Sequence, residues 1–337
     1  MNTTTLKILK GDDLHCHFRR GDIMKSVVGF TARQFKRATV MPNTDPPILT
    51  ADDIIAYWQS LQTIAPLLWP LMTIQINGDT TPNIVEMAKK HGAVAGKVYP
   101  QGVTTNSQNG VLDFKAIYPA LEKMQEIGML LLLHGESPDP EIFCLDRETA
   151  FFKTVWDIAK DFPNLKIVLE HITTADAVLF VNSLPENIAA TITAHHLVLT
   201  LDDVVGNLIS PHNFCKPIAK RRQDRDALRQ AATSGWPKFF FGSDSAPHLK
   251  DKKECSHGCA GVFSAPVALQ LLTQVFEEQG ALDKLENFVS KFGAEFYGLP
   301  QSSETITLVK QDWKVPEECN GIVPFMAGQT LRWKVAD

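Results

Sequence analysis

The sequence predicts an α/β protein, a (β/α)8 barrel with a C-terminal appendage. Three observations lead there. Eight short runs rich in apolar and β-branched residues recur along the 337 residues. Helix-like stretches separate most of them, which is the rhythm of parallel βαβ units. No Gly-x-Gly-x-x-Gly turn follows the first run, so the competing open, doubly wound sheet lacks its phosphate-binding signature. Eight units over about 250 residues match a closed barrel.

Taken in order, the predicted strands are Lys7–Leu14, Ala38–Met41, Leu71–Ile76, Val94–Val98, Leu130–His134, Lys166–Glu170, Ile188–Thr193 and Phe239–Gly242. Several are apolar almost without alternation, as strands covered on both faces should be. The predicted helices are Asp52–Leu61, opened by Thr50 as its cap, then Thr81–His91, Asp113–Gly128, Arg147–Asp161 and Asp224–Ser234. A helix-rich stretch follows Ser264 as far as Phe296, and Ile306–Asp337 reads as loops with short strands. No low-complexity linker and no internal repeat divides the chain. Residues 1–337 therefore read as one domain, with 300–337 as its appendage.

Composition narrows the function classes. Apolar residues make up 44% and charged residues 21%, an ordinary globular balance. The net charge of −5 and the lack of a basic stripe argue against nucleic acid as a partner. Lys250, Lys252 and Lys253 form a short basic run that reads as a solvated loop. Met1–Lys10 lacks the apolar core of a signal peptide, and runs such as Met129–Leu133 are far too short to cross a bilayer. The six scattered cysteines then read as reduced thiols of a cytoplasmic protein. Cys255-x-His257-x-Cys259 has metal-like spacing but no paired motif to close a structural zinc site.

Barrels of this kind place their chemistry at the C-terminal ends of the strands, and reactive side chains collect there. The first strand leads into His15-Cys16-His17, where alternate residues of an extended chain face one way and can share a metal. Lys97 sits inside an apolar strand, where an ammonium is costly unless paired; the plain alternative is a rim lysine beside an acid such as Glu136. The fifth strand ends in His134 and the sixth in Glu170-His171. Asp244 and His248 follow the Phe-rich eighth strand, and capping of the next turn is the alternative role for Asp244. His195 and His196 end the seventh strand; at most one points inward, and a structural role suits them better. Four histidines, one aspartate and a lysine on one rim exceed what one tetrahedral zinc needs and fit a two-metal site.

These residues resemble the metal set of the amidohydrolase superfamily. Longer strings resemble its dihydroorotases of the single-function bacterial type: Asp12-Asp13-Leu14-His15-Cys16-His17-Phe18-Arg19, Met41-Pro42-Asn43-Thr44, Lys97-Val98-Tyr99-Pro100 and Thr104-Thr105-Asn106-Ser107. Gly242-Ser243-Asp244-Ser245-Ala246-Pro247-His248, Gly258-Cys259-Ala260-Gly261 and Phe296-Tyr297-Gly298-Leu299-Pro300 continue the likeness to the C-terminus. Arg20, Lys216 and His257 depart from the pattern, standing where the family favours an acid, an apolar residue and a cysteine.

The resemblance implies reversible ring opening of L-dihydroorotate to N-carbamoyl-L-aspartate, with two Zn2+ per subunit and a homodimer. It implies that His15, His17 and Asp244 hold one ion, that His134 and His171 hold the other, and that Lys97, carboxylated on its amine, bridges them. Asp244 is also the expected catalytic base. Arg19, Asn43 and His248 are expected to bind substrate by side chain, Lys216 and Ala260 by backbone, with Thr104 and Thr105 on a loop that folds over it. The neighbouring alternatives are a hydantoinase- or allantoinase-like cyclic amidase and, from another class, a non-catalytic barrel serving as an assembly partner.

Overall fold

The computed structural model describes residues 4–336; residues 1–3 and 337, which the expected single domain includes, lie outside the described residues. Eleven strands are described: β1 Thr5–Leu9, β2 Asp12–Cys16, β3 Arg37–Val40, β4 Trp69–Ile76, β5 Ala93–Val98, β6 Leu130–His134, β7 Ile167–Glu170, β8 Ile188–Ile192, β9 Phe239–Phe241, β10 Thr305–Lys314 and β11 Thr330–Val335. Strands β2 to β9 pair in chain order as one eight-stranded sheet, and each hydrogen-bonded pair within it is parallel. Helices run between the strands and give the (β/α)8 barrel.

Local chemistry explains the helix starts. Thr50 opens Ala51–Ile64 with a capping box, accepting from Asp53 N–H while the Asp53 carboxylate accepts from Thr50 N–H at 2.9 Å. Thr81 caps Pro82–Lys90, with proline in the first turn where its missing N–H costs nothing. The apolar residues divide into two sets. Leu14, Met41, Leu71, Ala95, Leu132, Val168 and Phe240 fill the barrel interior, and a far larger set lies between strands and outer helices. The helix Phe292–Tyr297 plugs the end of the barrel opposite the strand C-termini, where Lys166 and Arg37 donate to Phe296 O and Pro300 O. Gly293 lets this helix pack closely on the barrel, since a Cβ there would lie 2.1 Å from Leu14 Cδ1 and push that side chain aside.

The structure corrects the first predicted strand. Lys7–Leu14 is two strands, not one. β1 leaves the barrel and pairs antiparallel with β10, which pairs with β11 to make a separate three-stranded sheet. The chain changes sheets at Lys10-Gly11, where a Cβ on Gly11 would lie 2.2 Å from Val289 O, so only glycine fits. The C-terminal appendage therefore incorporates an N-terminal strand, and β10 is a ten-residue strand rather than a short one. All six cysteines are unpaired. Among the described residues no helix is long and apolar enough to cross a membrane.

Asp12 and Arg37, cross-strand partners in β2 and β3, form a buried bidentate pair at 2.7 and 2.6 Å. Removing one partner leaves an unpaired charge in the barrel wall. Arg37→Met is therefore expected to cost about 3–5 kcal/mol in denaturant unfolding. A loss under about 1 kcal/mol would show that water reaches Asp12 and screens it.

Candidate metal centre and substrate cavity

The side chains singled out from the sequence meet at the C-terminal end of the barrel. β2 carries His15, and His17 follows it by two residues. Their Nε2 atoms lie 3.2 Å apart, and Asp244 Oδ1 is 3.3 Å from the first and 3.0 Å from the second. Edges of about 3.3 Å belong to a tetrahedron of ligands about 2.0 Å from a central ion, so these three atoms fit a zinc-sized cation. The His15 and His171 rings are 5.0 Å apart between centroids, and His134 and His171 are 4.7 Å apart. His171 Nδ1 is buried without a hydrogen-bond partner, and His15, Glu170 and His171 bring ligand atoms within 4.8 Å of one another. Imidazole and carboxylate without thiolate is a donor set suited to zinc or a similar divalent ion.

Backbone strain gathers here. His171 and Asp244 have φ of 44° and 43°, in the left-handed region that such residues rarely adopt. His171 N–H donates to Thr191 Oγ1 at 2.7 Å, and Asp244 N–H to His15 O at 2.8 Å, which hold both turns. Arg19 is also left-handed, with φ of 61°. It lies beyond the end of β2, so it reaches the site from a turn rather than along the face that bears His15.

Lys97 is fully buried, and its partner is the Glu170 carboxylate, not Glu136 as the plain alternative has it. Glu136 instead lies 3.0 Å from His134 Nε2. Glu170 is the residue that sequence reasoning passed over. It ends β7 beside His171, touches Lys97, and puts Oε1 3.0 Å from His15 Nδ1. An acid closing an apolar strand was the available signal.

On the other wall, Arg19 Nε donates to Pro247 O at 3.2 Å, and its Nη2 is 3.0 Å from His248 Nε2. That nitrogen is also 3.0 Å from Ala260 O, and it serves one at a time: bare, it accepts from Arg19; as N–H, it donates to Ala260. Asn43 Nδ2 donates to Thr105 O at 3.0 Å, Asn106 Nδ2 to Asn43 O at 3.0 Å, and Thr105 Oγ1 to Ala260 O at 3.3 Å. The loop bearing Thr104 and Thr105 is thus folded down. Beneath it lies a cavity of about 20 Å³, bordered by His17, Asp244, Arg19, Asn43, Lys216 and Ala260. That is room for about one water. A larger surface hollow of about 650 Å³, beside Phe30, Arg33 and Leu67, has no histidine or acid on its walls.

His195 and His196 lie in the turn beyond β8, which ends at Ile192, not at its end as expected. His196 is bound by Thr193 Oγ1 at 2.9 Å and Pro217 O at 3.0 Å, whereas both ring nitrogens of His195 are buried without a partner.

No family model matches the chain. Individual proteins do. A dihydroorotase from Teredinibacter turnerae is 48% identical, with 99% of each chain covered. A dihydroorotase from Vibrio cholerae is also 48% identical, over 98% of this chain and 99% of that one. The chain belongs to the dihydroorotase family. A dihydroorotase from Saccharomyces cerevisiae, solved in complex with 5-fluoroorotic acid, superposes with a TM-score of 0.92 at 41% identity, 98% of both chains being covered. An L-hydantoinase from Arthrobacter aurescens shares the fold, with a TM-score of 0.83 at 15% identity over 98% of this chain and 83% of that one. The chain is accordingly an enzyme, a cyclic amide hydrolase.

Burial and charge set the protonation of this cluster. Burial alone disfavours a charged His15, but Glu170 and Asp244 overcome it and raise the ring to about 9. Burial lowers His17 to about 4 even though it touches the same Asp244 carboxylate. Glu170 raises only His15, whereas the positive charges of Arg19 and His15 press His17 further down. Burial also lowers His134 and His171. Burial favours a neutral Asp244, but the neighbouring imidazoles hold it well below the ordinary carboxylate range. Any cation held by His15 must displace its proton. With Glu170 Oε1 3.0 Å from Nδ1, it is Nε2 of His15 that faces His17 and Asp244. Glu170→Gln is expected to weaken metal retention about 10–100-fold in chelator competition. Unchanged retention would show that Glu170 does not orient His15.

Proposed function

We propose that this chain catalyses the reversible, zinc-dependent hydrolysis of the cyclic amide of L-dihydroorotate to N-carbamoyl-L-aspartate, a step of de novo pyrimidine biosynthesis. We take it to act in the cytoplasm as a homodimer and as one domain over residues 1–337, with 300–337 as its appendage. One observation carries the reading beyond family membership. A single small cavity is bordered by His17 and Asp244 on one side and by Arg19 and Asn43 on the other. Hydrolytic groups thus face a permanent cation across one closed space, an arrangement that supports a cyclic amide bearing a carboxylate once the loop over it opens.

His15, His17 and Asp244 would hold one Zn2+, and His134 and His171 the other. Lys97, in its carboxylated form, would be shared between them. Burial lowers the Lys97 amine toward its neutral, nucleophilic form, against the pull of Glu170. The neutral amine can add CO2 with loss of one proton, which turns it into a two-oxygen anion that can ligate. When bound, the two ions supply a Lewis acid for the amide carbonyl and ionise water near neutral pH.

The chain's own groups do the rest. Asp244 takes the proton as the new C–O bond forms and returns it to the ring nitrogen as the C–N bond breaks. Arg19 offers the substrate carboxylate a planar fork of donors. His248 and Asn43 add donors beside it, and the backbones of Lys216 and Ala260 hold the ring edges. The loop bearing Thr104 and Thr105 closes over the site and excludes water.

The direct test is turnover of dihydroorotate against hydantoin by the purified protein, with metal analysis. Turnover of hydantoin alone would reassign the substrate. Arg19→Lys keeps the charge but loses the fork, and is expected to cost about 1–3 kcal/mol in kcat/KM for dihydroorotate. An unchanged kcat/KM would show the carboxylate bound elsewhere. Lys97→Ala is expected to lose metal and activity together, with part of the activity restored by a small added carboxylic acid that fills the gap. A fully loaded, active Lys97→Ala protein would rule out the shared ligand.

A further inference from the structure

Lys253 departs from the solvated-loop reading of the basic run at 250–253. Lys250 and Lys252 are exposed, but Lys253 is only 4% exposed. It ends the short helix Lys250–Lys253 and turns inward, where its ammonium donates to Phe214 O at 3.0 Å and to Gly261 O at 2.5 Å. Gly261 N–H itself donates to Phe214 O at 2.9 Å, so one lysine closes a three-way junction of two loops. Those loops also carry Lys216 and Ala260, which with Gly261 border the substrate cavity.

The charge on Lys253 has no counter-ion. No aspartate or glutamate forms an ion pair with it among the described residues. The acidic groups that bear on it are the thiols of Cys215 and Cys259, and burial pushes the Cys215 thiol up to about 12, so that thiol is neutral at pH 7. Burial lowers the Lys253 ammonium to about 8, with Arg19 adding repulsion, so it remains mostly charged at neutral pH. A buried cation normally sits beside an anion. Here the charged side chain that bears on it is another cation, Arg19, and both act on His248. Burial and these two cations hold the His248 ring down to about 3, so it adds no positive charge of its own.

We propose that the missing anion is the substrate: Lys253 is a positioning residue that clamps the two backbone shelves of the cavity and, with Arg19, makes its outer wall selective for an anionic ring. The proposal rests on the reading of the cavity as the dihydroorotate site. It assigns Lys253 no contact with the reacting atoms. Its field acts across the shelves it holds, in a region from which water is largely excluded, where charge interactions are screened less than in bulk solvent. The same charge favours the ring-opened product, which carries two carboxylates where the ring carries one.

Binding of orotate, an anionic ring, and uracil, its neutral counterpart, should be compared in metal-loaded wild-type, Lys253→Gln and Lys253→Arg proteins. Glutamine keeps a donor for the shelf carbonyls and loses the charge; arginine keeps both. Lys253→Gln is expected to weaken orotate about tenfold, leave uracil within twofold, raise KM for dihydroorotate about tenfold, and change kcat and metal content little. Lys253→Arg is expected to stay within threefold of wild type throughout. Equal losses for orotate and uracil would overturn the proposal, because a purely structural clamp does not distinguish charge. So would a folded Lys253→Arg that has lost its preference for the anion, a result available even if the glutamine variant fails to fold. Failure of the wild-type protein to turn over dihydroorotate would instead strike the functional reading on which the proposal rests.

Discussion

Closing an eight-stranded sheet forces its last strand against its first, and in this chain the closure and the functional site are the same set of bonds. β9 has only three residues, so little ladder is available to seal the barrel. The seal is made beyond it. The Asp13 carboxylate accepts from Ser243 N–H at 2.8 Å and from Ser243 O–H at 2.6 Å. Asp244 N–H donates to His15 O at 2.8 Å, and His17 N–H to Ser245 O at 3.0 Å. These bonds place Asp244 opposite His15 and His17. The left-handed backbone at Asp244 costs on the order of 1–3 kcal/mol, and closure of the barrel is what maintains it.

The seam also decides the electrostatics. It draws imidazoles and carboxylates together away from water, where an isolated charge is costly. Each group then takes the form its neighbours allow. His17, His134 and His171 are driven toward neutral imidazole, the form that has a lone pair to give. Glu170 would be neutral by burial alone, but His15 and Lys97 hold it ionised. His15 alone among the cluster's imidazoles is held protonated, by the same two carboxylates, Glu170 and Asp244, that hold it in place.

Much of this was legible in the sequence, and the failures have physical causes. The barrel strands could be read because both their faces are buried, which leaves short runs that are apolar almost without alternation. His15, His17, Lys97, His134, His171 and Asp244 stood out because a polar group at the end of such a run needs a reason. Lys7–Leu14 misled because the break between its two strands lies in Lys10-Gly11, and only the approach of Val289 O shows why the glycine is there. Glu170 was hidden by the histidine after it. Arg19 was legible as a cation near the site but not as a left-handed residue, since backbone conformation at a non-glycine position leaves no mark in composition. Lys253 was hidden among lysines that do face water, and what buries it is a contact with residues some 40 positions away.

The closed cavity shows the same economy of polar groups. On the proposed reading, Asn43 and Ala260 hold substrate and Thr105 closes over it, yet here these residues hold one another. The Asn43 amide is spent on Thr105 O, and Ala260 O accepts from Thr105 Oγ1. With about 20 Å³ beneath the loop, a six-membered ring cannot enter while those bonds last. Opening the loop exposes donors and acceptors that water satisfies, so the exchange is nearly balanced and the loop can move at low cost. A substrate that satisfies Asn43 competes with Thr105 for the same amide, so closing over the ring requires Thr105 to find its partner elsewhere. Thr105 O, an acceptor, then takes its hydrogen bond from water, while Thr105 Oγ1–H keeps Ala260 O as its partner. The shelf that Ala260 provides is thus the hinge of the exchange, which is why its rigidity matters as much as the position of the groups that react.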